Sequence, residues 1–284
     1  MSKIVVIGIK GMAGHVVFQR LQQLGKHNVY GIARNIEENE NTFSLDVSDT
    51  QTLKKIISEN NFDAVINCIG ILNKDAEDHP AKAVWFNSYF PHFLEEITAD
   101  TNTKIIHIST DCVFNGKKGN YTEEDTKDGI GFYAQSKALG EIDNAKDLTI
   151  RTSIIGPELN PNGIGLLHWF LSQPKESVLK GFSQAFWSGI TTLELANVIE
   201  FALNQNVTGL VQVAPKEKIS KYHLLKLFNE IFRNNEMQIE EADEYKVDKS
   251  LVSIRKDFTC QVPDYHTMLT ELKVWINQNK YYYS

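Results

Sequence analysis

Residues 3–14 read KIVVIGIKGMAG, an apolar β-branched run that leads directly into three regularly spaced glycines. The run predicts a buried strand, and a helical pattern begins near Met12. Residues without a β-carbon let a strand turn sharply into a helix while the backbone approaches a pyrophosphate on the helix N-terminus. We therefore predict a dinucleotide-binding turn, the alternative being a tight turn without a ligand. The predicted cofactor contacts are Gly8, Lys10, Gly11, Met12, Ala13 and Gly14.

From residue 3 to residue 152, short apolar runs alternate with longer amphipathic stretches. This alternation predicts parallel strands joined by right-handed crossover helices, which gives an α/β fold with a doubly wound parallel sheet of the Rossmann type. The ligand crevice of such a sheet lies at the C-terminal ends of its strands. The predicted strands are KIVVIG, NVYGIAR, TFSLD, DAVINCIG, TKIIHIST and LTIRTS, and the predicted helices span 13–24, 50–60, 80–98 and 132–146.

Beyond Arg151 the alternation loosens, because glycines and prolines interrupt the chain repeatedly between residues 156 and 165. We expect residues 1–155 to form the dinucleotide-binding domain. Residues 156–284 are expected to form mainly a smaller C-terminal substrate-binding lobe, with some segments returning to the Rossmann sheet. Helical patterns span 164–172, 191–204 and 220–233, and a strand pattern spans 209–213. The last fifty residues show weak periodicity, and the terminal YYYS is expected to pack against the second lobe or to be a disordered tail.

Composition excludes several classes of function. The net charge of −7 is spread along the chain without a Lys/Arg cluster, so no nucleic-acid partner is expected. No apolar run approaches the roughly 18 residues that span a bilayer, and we expect a cytoplasmic protein with no membrane partner. The three cysteines are widely spaced, which favours neither disulfides nor a metal site. The sequence leaves the oligomeric state open, a homodimer included.

The end of the second strand predicts which nicotinamide cofactor is bound. Residues 31–35 read GIARN, with no carboxylate to accept hydrogen bonds from a ribose 2′-hydroxyl. Arg34 and Lys10 could instead bind a 2′-phosphate, so NADPH is favoured and NADH remains possible; the alternative is that both are solvated cations. Asp46 is placed to reach the adenine amino group or to cap a turn. The same crevice is expected to include Val47, Cys68, Ile69 and Gly70.

A second motif predicts proton transfer. Tyr133 and Lys137 are four residues apart at the start of a helical pattern, so both lie on one face. A lysine ammonium beside a phenol lowers the pKa of the phenol. Thr110, at the end of the fifth strand, supplies a hydroxyl for the same carbonyl oxygen, and Asn87 could position the lysine through water. His107 lies inside a strand run and is interpreted as a core residue.

These segments resemble the extended short-chain dehydrogenase/reductases, and within them the dTDP-4-dehydrorhamnose reductase family. The matching segments are GIKGMAG, LDVSD, DAVINCIG, HISTDCVFNG, YTEEDT, YAQSKALGE and LTIRTS. The resemblance implies that Thr110, Tyr133 and Lys137 are catalytic and that Asp111 lies near the sugar. It also implies NADPH-dependent reduction of the C4 keto group of a nucleotide-linked 4-keto-6-deoxyhexose, in the biosynthesis of surface polysaccharides.

Two departures from the family pattern leave the sugar open. Cys112 and Ile154 replace residues that are aromatic in the rhamnose enzymes, and Trp187 is a further candidate for stacking on the substrate. The related GDP-fucose synthases carry a cysteine at the Cys112 position and use it with a histidine to epimerise carbons beside the ketone. An enzyme that epimerises C3 or C5 and then reduces C4 is therefore one alternative, with His168 as the candidate histidine. A non-catalytic regulatory subunit that binds NADP is the other.

Overall fold

A computed structural model describes residues 1–280 and residue 283. Numbered along the chain, its strands are β1 (Ser2–Ile7), β2 (His27–Ala33), β3 (Thr42–Ser44), β4 (Ala64–Asn67), β5 (Lys104–Ser109), β6 (Leu148–Arg151), β7 (Ile154–Ile155), β8 (Val178–Phe182), β9 (Ala185–Trp187), β10 (Ile190–Thr191), β11 (Gly209–Gln212), β12 (Ile219–Ser220), β13 (Gln238–Ala242) and β14 (Val247–Asp248).

The helices lie between these strands. They are α1 (Met12–Leu24), α2 (Thr50–Asn60), α3 (Asn73–Asp78), α4 (Pro80–Ala83), α5 (Phe90–Ile97), α6 (Phe132–Leu139), α7 (Leu166–Ser172), α8 (Thr192–Gln205), α9 (Lys221–Arg233) and α10 (Tyr265–Gln278). A π-helical segment, Val84–Tyr89, joins α4 to α5, and a 3₁₀ turn, Asp111–Val113, follows β5. Among the described residues, no helix combines the length and the apolar character needed to cross a bilayer.

Seven parallel strands form the central sheet in the order β11-β6-β5-β4-β1-β2-β3, which confirms the predicted doubly wound α/β class. Because successive strand residues point to opposite faces, β1 contributes to two cores. Ile4 and Val6 pack in the core that includes α1, α8 and α10. Val5 and Ile7 pack in the core that includes α2 and α5. The sheet is thus covered by helices on both faces.

The strand predicted at 209–213 is β11, which pairs with β6 at the edge of this sheet. The helix predicted at 80–98 is α4, the π-helical segment and α5 in direct succession. The helix predicted at 132–146 is too long, because α6 ends at Leu139. The backbone at Gly140 runs against the π-helical segment, where a β-carbon would lie 1.8 Å from the carbonyl oxygen of Asn87. The chain then turns inward rather than continuing as a helix.

The last fifty residues contain α10, a fourteen-residue helix that was not predicted from their weak periodicity. Asp264 caps it by accepting a hydrogen bond from the Thr267 N–H. Its buried residues are Tyr265, Met268, Leu269, Leu272 and Trp275. Of the terminal YYYS, only Tyr283 is described, and its hydroxyl lies 2.8 Å from Nε2 of His15. The expectation for the other three residues lies outside the described residues.

An ion pair between Glu141 and Arg151 is buried inside the protein, with side chains 1% and 2% exposed. Arg151 donates from Nε to Oε1 and from Nη2 to Oε2 of Glu141, each at 2.7 Å. Ser109 at the end of β5 also donates to Oε1 at 2.7 Å. Burial acts to raise the pKa of Glu141, but the hydrogen bonds from Arg151 and Ser109 hold it below its ordinary value. The pair therefore joins β5, β6 and the segment after α6.

We expect the substitution Glu141→Ala to lower the free energy of unfolding by about 3–5 kcal/mol, because Arg151 would remain buried without a counter-ion. Urea denaturation measures this change. The matched control is Glu59→Ala, which removes the exposed partner of Lys55 at 3.9 Å and should change stability by less than about 1 kcal/mol. Similar losses in the two variants would contradict the role assigned to the buried pair.

Candidate active site

The glycine turn between β1 and α1 requires residues without side chains. Gly8 has a φ of +94°, in the region that favours glycine. A β-carbon on Gly14 would lie 2.2 Å from the carbonyl oxygen of Gly8, so α1 could not approach β1 with any other residue there. The turn therefore holds the start of α1 close to the C-terminal end of β1.

The N-terminus of α1 has no side-chain cap. Gly11 occupies the N-cap position, and no acidic residue lies in the first turn. By contrast, side chains cap four other helices, namely α2, α8, α9 and α10, through Asp49, Thr191, Ser220 and Asp264. The N–H groups of Met12 and Ala13 lie at a positive helix end that suits an anion. These residues fit the pyrophosphate of a dinucleotide.

Two cations lie near the end of β2. Nη1 of Arg34 is 3.4 Å from Oδ2 of Asp46, and Nζ of Lys10 donates to the carbonyl oxygen of Asn35 at 3.3 Å. Oδ1 of Asp46 accepts hydrogen bonds from the N–H and the hydroxyl of Ser48, and these bonds lower the pKa of Asp46. Asp46 thus stabilises its own turn while it keeps Arg34 at the mouth of the crevice.

The remaining predicted cofactor residues line the ends of neighbouring strands. Val47 is buried in the core with α2 and α5. A β-carbon on Gly8 would lie 3.0 Å from Cγ1 of Ile69, so the segment after β4 contacts the glycine turn directly. Cys68 begins this segment, its N–H donating to the carbonyl oxygen of Ile7, and burial raises the pKa of its thiol. Gly70 follows, and a β-carbon added there would make an ordinary contact with Oδ1 of Asn87 at 3.8 Å.

Thr110 lies where β5 ends. Its hydroxyl oxygen accepts a hydrogen bond from the Cys112 N–H and donates one to Oδ1 of Asp111, each at 3.1 Å. These two bonds fix the hydroxyl over the 3₁₀ turn. Thr110 and Asp111 are each 7% exposed, so both groups lie in a restricted space at the edge of the sheet.

Tyr133 is the second residue of α6, and Oε1 of Glu77 accepts the Tyr133 N–H at 3.1 Å. Burial raises the pKa of the Tyr133 phenol, the charges of Cys112 and Asp111 act in the same direction, and contact with the Thr110 hydroxyl acts against them. The prediction that Lys137 lowers this pKa is therefore wrong for the described structure. Tyr133 instead belongs to one cluster with Thr110, Asp111 and Cys112.

Lys137 is 3% exposed and points toward β5. Its Nζ donates to the carbonyl oxygen of Ile108 at 2.7 Å and lies 3.1 Å from Nε2 of His107. Burial lowers the pKa of Lys137 to about 8, although the charges of Glu141 and Cys68 act in the opposite direction. The i, i+4 spacing thus brings Lys137 to the strand end that carries Thr110.

The side chain of Asn87, which was expected to position Lys137 through water, bonds directly to Ile71 and Ser136. Its Oδ1 accepts the Ile71 N–H at 2.8 Å, and its Nδ2 donates to the Ile71 carbonyl oxygen and to Oγ of Ser136. Both amide hydrogens are therefore used. Asn87 joins the segment after β4 to α6. Its Oδ1 keeps a second lone pair, so the water-mediated contact with Lys137 stays a prediction.

The predicted substrate-side residues differ in their placement. Trp187 is a core residue rather than an open stacking surface, because it is 4% exposed and its Nε1 donates to Oγ of Ser153 at 2.8 Å. Ile154 is half-buried in β7 and packs against the main core. Burial, followed by the charge of Asp111, raises the pKa of the Cys112 thiol to about 11. Nε2 of His168 contacts the Pro161 carbonyl oxygen at 3.2 Å. A thiol that stays protonated near neutral pH opposes the epimerase alternative.

Two further residues of the site were not predicted. Lys221 begins α9, and its Nζ lies 5.3 Å from the centre of the Trp187 ring. Burial lowers the pKa of Lys221, and the charges of Asp111 and Cys112 act against this change, so the ammonium faces that turn. Glu77 caps α6 from a distance of 56 residues along the chain. No local pattern in the sequence indicates either contact. The described residues contain no group of three or more His, Cys, Asp or Glu side chains that could hold a metal ion.

A Rossmann sheet with a strand-terminal hydroxyl, a tyrosine and a buried lysine one turn later defines the class of short-chain dehydrogenase/reductase proteins. Within that class, residues 2–245 match the family model described as the RmlD substrate binding domain. The chain belongs to this family.

Individual relatives agree with this assignment. The probable low-salt glycan biosynthesis reductase Agl14 of Haloferax volcanii is 34% identical over 143 residues, which cover 48% of this chain and 46% of the relative. The dTDP-4-dehydrorhamnose reductase of Mycolicibacterium smegmatis is 30% identical over 143 residues, covering 49% and 40%. The chain thus spans about half the length of the curated relatives that it matches.

A solved structure supports the fold over the whole chain. The crystal structure of dTDP-4-dehydrorhamnose reductase from Bacillus anthracis in complex with NADP matches with a TM-score of 0.81 at 19% identity. The match covers 97% of this chain and 99% of that chain. At this identity the likeness shows the fold.

We expect the free energy of unfolding to depend on pH because the ammonium of Lys137 is buried. The folded protein loses this proton near pH 8, whereas the unfolded chain keeps it to about pH 10.5. Between these values the unfolded chain binds more protons, so stability rises with pH. The difference in unfolding free energy between wild type and Lys137→Met should move on the order of 3 kcal/mol in favour of wild type between pH 7 and about pH 10.

Urea denaturation at a series of pH values measures this difference. The variant Lys55→Met, which changes an exposed lysine of α2, serves as the control and should show no such trend. A difference between wild type and Lys137→Met that is flat with pH would contradict the buried ammonium.

Proposed function

We propose that this protein is an NADPH-dependent reductase that acts on the C4 keto group of a nucleotide-linked 4-keto-6-deoxyhexose, in glycan biosynthesis. One observation carries the proposal. Thr110, Tyr133 and Lys137 converge at the same edge of the sheet as the uncapped N-terminus of α1. The names of the relatives in Haloferax volcanii and Mycolicibacterium smegmatis support the reaction and the substrate class.

The glycine turn would hold the pyrophosphate of the cofactor through the N–H groups of Met12 and Ala13. Arg34 and Lys10 would bind a 2′-phosphate, because the end of β2 offers no carboxylate before Glu37. A bound NADPH supplies a hydride to the carbonyl carbon. The NADP complex of the Bacillus anthracis enzyme, which has the same fold, supports this choice of cofactor.

Residues from the end of β5 and from α6 would bind the carbonyl oxygen of the substrate. The Thr110 hydroxyl and the Tyr133 phenol can both donate to an oxygen that becomes negative as the carbon is reduced. Because burial raises the pKa of Tyr133, the phenol is protonated at neutral pH and is ready to act as the acid. Lys137, whose Nζ lies at the same strand end, would supply positive charge to the site as the carbonyl oxygen becomes negative.

We expect the substitution Tyr133→Phe to abolish reduction and to leave NADPH affinity near normal, since it removes only the proton donor. The assay follows NADPH oxidation with a panel of nucleotide-linked 4-keto sugars, and cofactor binding is measured by fluorescence titration. Tyr245→Phe changes an exposed tyrosine and is the control. Retained turnover in Tyr133→Phe would remove its assigned role.

The same panel separates the alternatives. No oxidation of NADPH with any sugar, together with co-purification of a catalytic partner, would favour a regulatory subunit. Solvent deuterium at C3 or C5 of the product would favour epimerisation by Cys112.

The cofactor preference has its own test. We expect the double substitution of Lys10 and Arg34 by alanine to weaken NADPH binding about 10- to 100-fold, because charge-assisted hydrogen bonds to a phosphate are lost. NADH binding should change little. The dissociation constants of both cofactors give the comparison, with Lys55→Ala as the control for lost surface charge. An equal loss for the two cofactors would argue against a 2′-phosphate site.

A further inference from the structure

A chain of three buried polar side chains leads across two strands to Lys137. Nδ2 of Asn67, the last residue of β4, lies 3.1 Å from Nδ1 of His107 in β5. Nε2 of the same imidazole lies 3.1 Å from Nζ of Lys137 in α6. Asn67 and His107 are fully buried. Water therefore does not compete for these contacts, and each atom must act as a donor or an acceptor toward its neighbour.

The backbone orients the first amide of the chain. The Ile69 N–H donates to Oδ1 of Asn67 at 3.1 Å, so the nitrogen of the amide is the atom that faces His107. An amide nitrogen only donates, and Nδ1 of His107 must therefore accept and carry no proton. Burial and the charge of Lys137 hold the pKa of His107 well below its ordinary value, so the ring is neutral. Its single proton is then on Nε2.

This tautomer directs an N–H group at Lys137. A neutral amine has a lone pair that accepts the Nε2 hydrogen, whereas an ammonium presents only hydrogens. The Ile108 carbonyl oxygen accepts a hydrogen from Nζ in both states. The contact between His107 and Lys137 is therefore a hydrogen bond for the amine and an opposition of two donors for the ammonium.

We propose that His107 is a positioning residue that lowers the proton affinity of Lys137 and so sets the upper pH limit of the reaction. The kinetic part of this statement rests on the proposed function. The part that concerns protonation rests on the three side chains alone. Lys137 contributes positive charge to the site at neutral pH. It loses this charge within the alkaline range because burial favours the amine and the contact with His107 adds to that preference.

No other titratable group described around the pair of His107 and Lys137 favours the amine of Lys137 as His107 does. Glu141 beyond the end of α6 and Cys68 beyond β4 act on Lys137 by charge, and both favour the ammonium. His92 of α5 acts by charge on His107 and keeps its ring neutral. Among the described residues, the polar atoms in hydrogen-bonding contact with Nζ are those of Ile108 and His107.

The first test uses the wild-type protein without ligands. Two-bond ¹⁵N–¹H correlation spectra of protein labelled in its histidines show which ring nitrogen carries the proton, and the signals of His107 are those that vanish in His107→Gln. We expect a neutral ring protonated at Nε2 from about pH 6 to about pH 9. A proton on Nδ1, or a charged ring in this range, would overturn the proposal.

The second test compares His107→Gln with Thr103→Val. A glutamine oxygen can accept a hydrogen from the ammonium, so the pKa of Lys137, followed by the ¹³Cε signal, should rise by about one pH unit. Thr103 is buried just before β5, and its hydroxyl donates to the Phe62 carbonyl oxygen at 2.6 Å, so Thr103→Val removes a buried hydrogen bond without touching Lys137 and should leave the titration unchanged. An unchanged Lys137 titration in folded His107→Gln would overturn the proposal.

Kinetic measurements give a third readout, which separates the role of His107 in the protonation of Lys137 from the proposed reductase activity. The alkaline limb of the profile of kcat/KM against pH should shift upward in His107→Gln by the same amount as the Lys137 titration. A titration that shifts in a protein without reductase activity would remove the proposed function and keep the role of His107 in protonation. Should His107→Gln fail to fold, the tautomer in the wild type decides alone.

Discussion

The buried ion pair between Glu141 and Arg151 fixes the relative position of the strand and helix that carry the proposed catalytic groups. Ser109, which donates to Glu141, directly precedes Thr110. Glu141 lies four residues after Lys137 in the sequence. The pair therefore ties the strand end that carries the hydroxyl to the helix that carries the lysine. Two charges buried in this way stabilise the fold only while both are present and hydrogen-bonded to each other, and Arg151 donates two hydrogen bonds to Glu141 here.

Burial also determines the protonation of the site. It raises the pKa of Tyr133 and lowers that of Lys137, so the environment favours the neutral form of both groups. A protonated phenol near neutral pH is the form that an acid catalyst of carbonyl reduction needs. The uncapped N-terminus of α1 and the cations Arg34 and Lys10 supply positive potential elsewhere in the crevice, where a dinucleotide would place its phosphates.

Local sequence predicts the parts of this molecule that local chemistry determines. The glycines after β1 are required by contacts within the turn itself, and the alternation of strands and helices follows from burial on both faces of the sheet. The predicted end of α6 was wrong because the helix is ended by the close approach of Gly140 to Asn87, and these residues are 53 positions apart along the chain. His107 was interpreted as a core residue, and it is buried. Its contact with Lys137, 30 residues further along, arises only in the folded sheet.

The transfer of deuterium tests the central claim most directly. NADPH that carries deuterium at both positions of nicotinamide C4 is incubated with the protein and a nucleotide-linked 4-keto-6-deoxyhexose, and the product is examined by mass spectrometry and NMR. The reductase assigned to Thr110, Tyr133 and Lys137 should place one deuterium at C4 of the sugar. NADPH that binds tightly, while no sugar of the panel acquires deuterium, would contradict the account.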